Sequence, residues 1–272
     1  MVRWLKLSWG VDMRFFIVWF FAIFSFIPAA YAQDYKSEIE NAETLGRLIY
    51  EQDVAGWVAT DSLLKDKKYL ETVTPNLKGW LSYQDGKNYK TIFVGVYDGV
   101  PKAVYEVKSK ARNVKNSQKI IKGRSLSSQE VRLWKARQKV VSENFEHCPE
   151  YTPMNTIVLP IPNDPEQRLY GYLFSATTIS GKVVFGKHYR FTLSSDASKV
   201  LEKRDFSKSC IAVNRSEAEQ TVGVMISHIM RPYPEEHHVF ANLSQELDVY
   251  ITIPETSQLW RVGDGKISKV KR

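Results

Sequence analysis

The chain carries two cysteines, Cys148 and Cys210, and they bracket the stretch with its strongest strand pattern. Joined, they would close a loop of 63 residues and force everything between them to fold with its ends together. Whether they join depends on the compartment, because disulfides persist in oxidising surroundings and rarely in a reducing cytosol. The N-terminal residues bear on that question. Arg14 precedes an apolar run from Phe15 to Ile27, 13 residues long, which Pro28 breaks. Ala30-Tyr31-Ala32 then offers small residues at the two positions a signal peptidase reads. The run is too short for the ~20 residues that span a bilayer. We expect a signal peptide over 1–32, cleaved near Ala32, and a periplasmic or secreted mature chain from Gln33 with no transmembrane segment. Met13-Arg14 alone makes a compact basic start, so translation from Met1 and from Met13 both fit. In either compartment a Cys148–Cys210 disulfide is the expectation.

The mature chain of 240 residues has ample length for a buried core in one domain, with a possible sub-domain division near residue 120. Removing residues 1–32 takes the net charge from +8 to +6, which favours anionic neighbours. In a cell envelope these are lipid head groups, acidic glycans or polymers. Nucleic acid is not expected, since no binding motif is present.

Periodicity gives the elements. Ile39, Ala42, Leu45, Leu48 and Ile49 form one helical stripe, which predicts a helix from Ser37 to about Gln52, with Ser37 and Glu40 spaced as a capping box. It continues or restarts through Val54–Leu64, where Trp57, Val58, Leu63 and Leu64 call for burial and Asp61 is the expected break. From Gly79 the period becomes two. Trp80–Tyr83, Tyr89–Tyr97 and Ala103–Val107 predict a three-stranded meander turned at Gln84–Lys87 and at Asp98-Gly99. Ser127 and Glu130 mark a second helix ending near Asn144, with Val131, Trp134, Val141 and Phe145 as its buried face. Beyond it the pattern is strand-like: Thr156–Leu159, Leu169–Ala176, Val183–Leu193, Val200–Phe206, Ile211–Val213, Val222–Ile229, Val239–Leu243, Val249–Ile253, Leu259–Val262 and Ile267–Val270, with Gly263–Gly265 as a hairpin turn. The fold class is α+β: an N-terminal helix, an antiparallel β meander, a second helix and a large, mostly antiparallel sheet.

Between Lys102 and Arg124 stand eight basic residues and one acid, Glu106. Lys108, Lys110, Arg112, Lys115, Lys119, Lys122 and Arg124 are candidate anion-binding residues; the plainer reading is a mobile connection kept in solution by its charge. The histidines suggest a metal. Glu235-Glu236-His237-His238, with His228 nine residues before His237, supplies donors that zinc accepts; the candidates are His228, His238 and Glu236, with His237 as the alternative partner of His228. Neither His-Glu-x-x-His nor His-x-His is present. In a strand, His237 and His238 would point to opposite faces and could not share one ion. No Gly-x-Ser-x-Gly elbow, phosphate-cradling loop or dinucleotide fingerprint appears, and no cofactor is expected.

Ser207-Lys208-Ser209-Cys210-Ile211-Ala212-Val213-Asn214 resembles the cysteine signature of L,D-transpeptidases, exported enzymes that cross-link peptidoglycan. The resemblance implies Cys210 as nucleophile and His188 as its base. It covers about eight residues and one histidine, and it departs at Ser209, at Ala212 and at Tyr189 after the histidine. More broadly, His147-Cys148 with Asn155-Thr156, Lys187–Arg190, Phe206–Cys210, Ser227-His228, Glu236–Phe240 and Leu259–Val262 are similar to a set of uncharacterised exported proteobacterial proteins. That resemblance implies export and a shared fold, and brings no activity. Three readings follow: a non-catalytic binding or structural module of the envelope, a cell-wall-acting enzyme using Cys210/His188 or a zinc site, and an inhibitor or effector that leaves the cell.

Overall fold

The computed structural model describes residues 35–148, 154–176, 182–214 and 223–271. The expected signal peptide and its cleavage site lie outside them. Among the described residues no helix is long and apolar enough to cross a membrane.

The first helix, α1 (Lys36–Leu64), runs unbroken through 29 residues. Asp61 does not end it; Asp66 caps the next helix instead, accepting the Tyr69 N–H at 3.1 Å, and α2 spans Lys67–Val73. Val58 and Leu63 are buried as expected, but Trp57 and Leu64 stay about half exposed because α1 packs along its opposite side. Four antiparallel strands follow in the order β1-β2-β3-β4: Leu77–Asp85, Asn88–Tyr97, Val100–Lys110 and Asn113–Ser125. The β2–β3 turn has positive φ at both Asp98 and Gly99, the geometry that matches strand twist. The fourth strand has no counterpart in the sequence reading. The basic stretch is no loose connection but a hairpin of β3 and β4, turned at Ala111-Arg112, and residue 120 lies inside its second strand.

The two faces of this sheet explain the apolar run Ile92-Phe93-Val94. Ile92 and Val94 face one core with Leu81, Tyr83 and α3 (Ser128–Ser142), whereas Phe93 faces another with Ala59, Leu63 and Val73 of α1 and α2. A strand covered on both faces has no reason to alternate. Helix α3 carries the expected capping box between Ser127 and Glu130. Its buried face is Leu133, Trp134, Ala136 and Val140; Val131 and Val141 lie 49% and 42% exposed, one step around the helix from that stripe.

The strands of the second half divide among three sheets. Met154–Pro160 (β5), Leu169–Ser175 (β6), Tyr189–Leu193 (β8) and Val200–Asp205 (β9) form one, in that order. Its even-numbered β6 residues, Tyr172 and Phe174, meet Leu45 and Ile49 of α1, while Leu169 and Leu173 meet α3. Lys182–Gly186 (β7) pairs with Cys210–Asn214 (β10). The span expected as one strand, Val183–Leu193, is cut after Gly186, where Lys187 takes φ +49°. Gly223–Ser227 (β11), Asp248–Ile253 (β12), Gln258–Gly263 (β13) and Lys266–Lys269 (β14) form the last sheet; β11 runs parallel to β12 and the other two ladders are antiparallel.

A parallel pair needs a crossover. Here it is α4 (Glu236–Gln245), where the sequence predicts the strand Val239–Leu243. Val239 and Asn242 are buried three apart, the spacing of a helix face, and the short apolar run Val239-Phe240-Ala241, which reads equally well as a strand, hid it. At Gly46 of α1 an added Cβ would come within 2.5 Å of the Val239 Cβ, so the α1–α4 crossing needs glycine there.

Glu130 holds the first half together electrostatically. Its carboxylate, almost fully buried, accepts from the Tyr83 hydroxyl at 2.8 Å, two Arg124 nitrogens at 2.7 Å and the Ser127 N–H at 2.8 Å. Burial pushes its pKa up, but these donors, Arg124 foremost, outweigh burial and hold it at about 2. A lowered folded-state value means that stability present above the ordinary 4.5 is lost as pH falls towards 2. Glu130→Gln should lose about 2–3 kcal/mol at neutral pH, the worth of charged hydrogen bonds. In urea titrations its stability should also fall less steeply with acid over that pH window than the parent's.

Candidate functional site

Cys148 and Cys210 are joined, with Cα atoms 5.7 Å apart, and no free cysteine remains. The bridge ties the segment after α3 to the start of β10, where Cys210 pairs with Gly186 of β7. Backbone at Gly186 is so close to the cysteine segment that an added Cβ would meet the Ser209 carbonyl at 2.1 Å. Beside it the Lys187 N–H donates to Ser207 Oγ at 2.7 Å. His188 is buried, with Nδ1 3.1 Å from the Ser175 N–H and Nε2 3.3 Å from the Gly186 N–H. A neutral imidazole has one free lone pair, and we assign it to the shorter contact. Burial lowers the His188 pKa to about 4, so the ring is neutral and holds backbone in place. In this oxidised state the thiol that the transpeptidase-like motif would require is absent: Cys210 is half of a disulfide and His188 is bonded to backbone.

The first turn of α4 is the most charged buried place in the described chain. Glu235 and Glu236 are 1% and 3% exposed. Two arginines meet them. Arg190 on β8 donates to Glu236 Oε1 at 2.5 Å, which also accepts the Tyr172 hydroxyl at 3.2 Å; Arg204 on β9 donates to Glu235 Oε1. Arg190 and Arg204 are directly paired across the β8–β9 ladder, so one face of that sheet presents both guanidinium groups to the helix start. Carboxylates there also meet the partial positive charge of the helix N-terminus.

That clasp gathers the histidines. His237 and His238 leave the first turn of α4, and His228 follows β11, its N–H donating to the Thr252 carbonyl at 2.9 Å. All three are buried, and one ring nitrogen of each falls within 4.8 Å of the others. His238 Nδ1 accepts the Glu235 N–H at 3.0 Å. His237 lies against Phe206, ring centroids 4.5 Å apart. Burial, reinforced by the neighbouring histidines, pushes the His237 and His238 pKa values well below the usual range, so both are neutral at physiological pH. A cavity of about 240 Å³ reaches the three rings between Phe185, Phe206 and the Ser207–Ser209 segment.

Of the residues singled out from the sequence, His228 and His238 therefore come together, while Glu236 is occupied by Arg190 and Tyr172. His237, the other histidine candidate, joins them, and Glu235 lies beside His228 where Glu236 was expected. The objection that neighbouring histidines point apart fails, because it assumes a strand and this is a helical turn. The basic candidates scatter: Lys108 pairs with Asp85, Lys119 with Asp66, and Arg124 with Glu106 and Glu130. Lys110 and Arg112 instead border a groove of about 570 Å³ with Lys87, Tyr50 and Tyr89, between α1 and the β-hairpin ends. Arg112 also pairs with Glu246 and lies 5.6 Å over the ring of Trp57. Lys115 and Lys122 are exposed on β4.

No family model and no curated protein matches the sequence. Among solved structures, a BLIP-like protein from Bacteroides fragilis matches with 16% identity and a TM-score of 0.17, over 53% of this chain and 85% of its own. A likeness that slight carries no argument about fold or function. What the coordinates define is a disulfide-stapled α+β protein.

Closing a loop of this length constrains the unfolded chain by about 4 kcal/mol. Urea unfolding with and without reductant should differ by roughly that amount. Alkylation of the native oxidised protein should label neither cysteine, and a labelled Cys210 would contradict the assignment.

Proposed function

We propose that the protein is an exported, non-catalytic binding module of the cell envelope, and that it takes an acidic glycan in the groove beside α1. The observation that supports this most directly is the placing of cations among phenol rings. Lys87, Lys110 and Arg112 line the groove with Tyr50 and Tyr89, and Glu51 is the one acid there, held by the Tyr89 hydroxyl at 2.9 Å. Trp57, 54% exposed, extends the aromatic surface under Arg112. Neither Lys87 nor Lys110 forms an ion pair with a described residue, so their charge is free for a ligand, unlike that of Lys108, Lys119 and Arg124. Rings offer faces to sugar rings and cations meet carboxylate or sulfate groups, the mixture of apolar wall and few polar anchors that small sites use. The net charge of +6 expected for the mature chain adds long-range attraction to anionic polymers. The disulfide fits an oxidising compartment, in keeping with the signal peptide read in the sequence. Thiol chemistry finds no support, since both cysteines are consumed.

Calorimetric titration with polygalacturonate, and with neutral dextran as control, tests the reading. Binding should be confined to the acidic polymer and should weaken with added salt as surface charge is screened. Lys87→Glu with Lys110→Glu should weaken it at least about tenfold by turning attraction into repulsion. Binding untouched by both salt and the double substitution would overturn the proposal.

A further inference from the structure

The histidine cluster at the start of α4 is independent of that groove, and it contains an unusual set of unsatisfied atoms. His228 Nε2, His237 Nδ1 and Glu235 Oε2 are all buried and none has a hydrogen-bond partner among the described residues. Their residues are 3%, 7% and 1% exposed. Buried polar groups are nearly always paired, and an orphan calls for an explanation such as an ion. Here the three orphans are linked through His228: Glu235 lies beside it, and His237 shares its cluster of three histidine rings. Glu235 Oε2 lies 3.1 Å from His228 Nε2 without the alignment of a hydrogen bond, and ring nitrogens of His228 and His237 fall within 4.8 Å.

The donor chemistry is selective. Two imidazoles and one carboxylate form a ligand set that zinc takes in open sites, where a fourth position stays with water or substrate. Hard cations such as magnesium want oxygen ligands. His238 is the neighbour that does not fit as a ligand: its Nδ1 already accepts the Glu235 N–H, so its ring proton sits on Nε2. It braces the turn instead. The second oxygen of Glu235 is held by Arg204, the kind of outer partner that fixes a ligating carboxylate. Tetrahedral zinc at 2.0–2.1 Å from each donor separates the donors by about 3.3 Å; Glu235 Oε2 and His228 Nε2 are already 3.1 Å apart, and the His228 and His237 rings, with nitrogens within 4.8 Å, need to close by at most about 1.5 Å. The cavity beside Ser207–Ser209 gives the ion a way in.

We infer that His228, His237 and Glu235 form a binding site for a divalent transition ion of the zinc class, open towards this cavity and braced by His238 and Arg204.

The test uses untagged mature protein with its disulfide intact, stripped with chelator and titrated with zinc and, separately, magnesium. One equivalent of zinc should bind, magnesium should not compete, and zinc should raise the thermal midpoint. X-ray absorption at the zinc edge should show two imidazoles and oxygen donors. His228→Gln and His237→Gln should each weaken zinc at least about 100-fold, since even outer partners are worth 10–100-fold. Folded wild-type protein that binds no zinc, or zinc whose absorption spectrum shows no imidazole, would overturn the inference. So would folded substituted proteins that bind zinc as the parent does. The absorption measurement needs only wild-type protein, so the inference stays testable if a substitution prevents folding.

Discussion

Two arginine–glutamate pairs with buried carboxylates hold the second half of this protein in register. Arg190 and Arg204 face each other across β8 and β9 and grip Glu236 and Glu235 at the start of α4. Removing such charges from water is expensive, and the attraction repays it only with good geometry and further hydrogen bonds. Those are partly provided: Glu236 also takes the Tyr172 hydroxyl, and Arg190 lies 4.5 Å over the ring of Tyr170. The pairs fix where the first turn of α4 sits against the β5-β6-β8-β9 sheet. The turn then sets His237 and His238 beside His228, because α4 is the crossover that joins the parallel strands β11 and β12.

Long-range packing completes the arrangement. Helix α1 contributes Ala42 to the core under the last sheet, Leu45 and Ile49 to the core under the middle one, and Ala59 and Leu63 to the core of the meander. One helix therefore touches three apolar cores in sequence order. The disulfide acts at another corner, tying the segment after α3 to β10 close to the cavity that leads to the histidines. The aromatic groove belongs to the opposite style of surface, with exposed charge on a hairpin and little buried structure behind it.

The parts legible in the sequence were those with local causes. The Ser127/Glu130 cap, the Asp98-Gly99 and Asp264-Gly265 turns, the long stripe of α1 and the pairing of the two cysteines all follow from neighbouring residues or from cysteine count. What escaped depends on distant partners. Strand β4 is exposed from Asn113 to Lys119 and lies at a sheet edge, so it carries no alternation to detect, and its hairpin turns on Ala111 at φ +47° with neither glycine nor asparagine to announce it. Helix α4 begins with two acids that look like surface residues until Arg190 and Arg204, 46 and 31 positions away, are placed beside them. The histidine cluster is half legible for the same reason: its residues stand out in the sequence, but a strand reading separates His237 from His238, and nothing in the sequence says which carboxylate Arg190 occupies.

The central claim is that the arginine–glutamate clasp positions α4, and a double-mutant cycle on Arg190 and Glu236 tests it most directly. Arg190→Met, Glu236→Gln and the double substitution would be unfolded in urea with the disulfide intact. The account predicts that each single change loses about 3–5 kcal/mol, because it strands a buried charge, and that the double change loses less than the sum by at least about 2 kcal/mol. Additive losses would contradict it, and would mean that α4 is held by its apolar contacts alone.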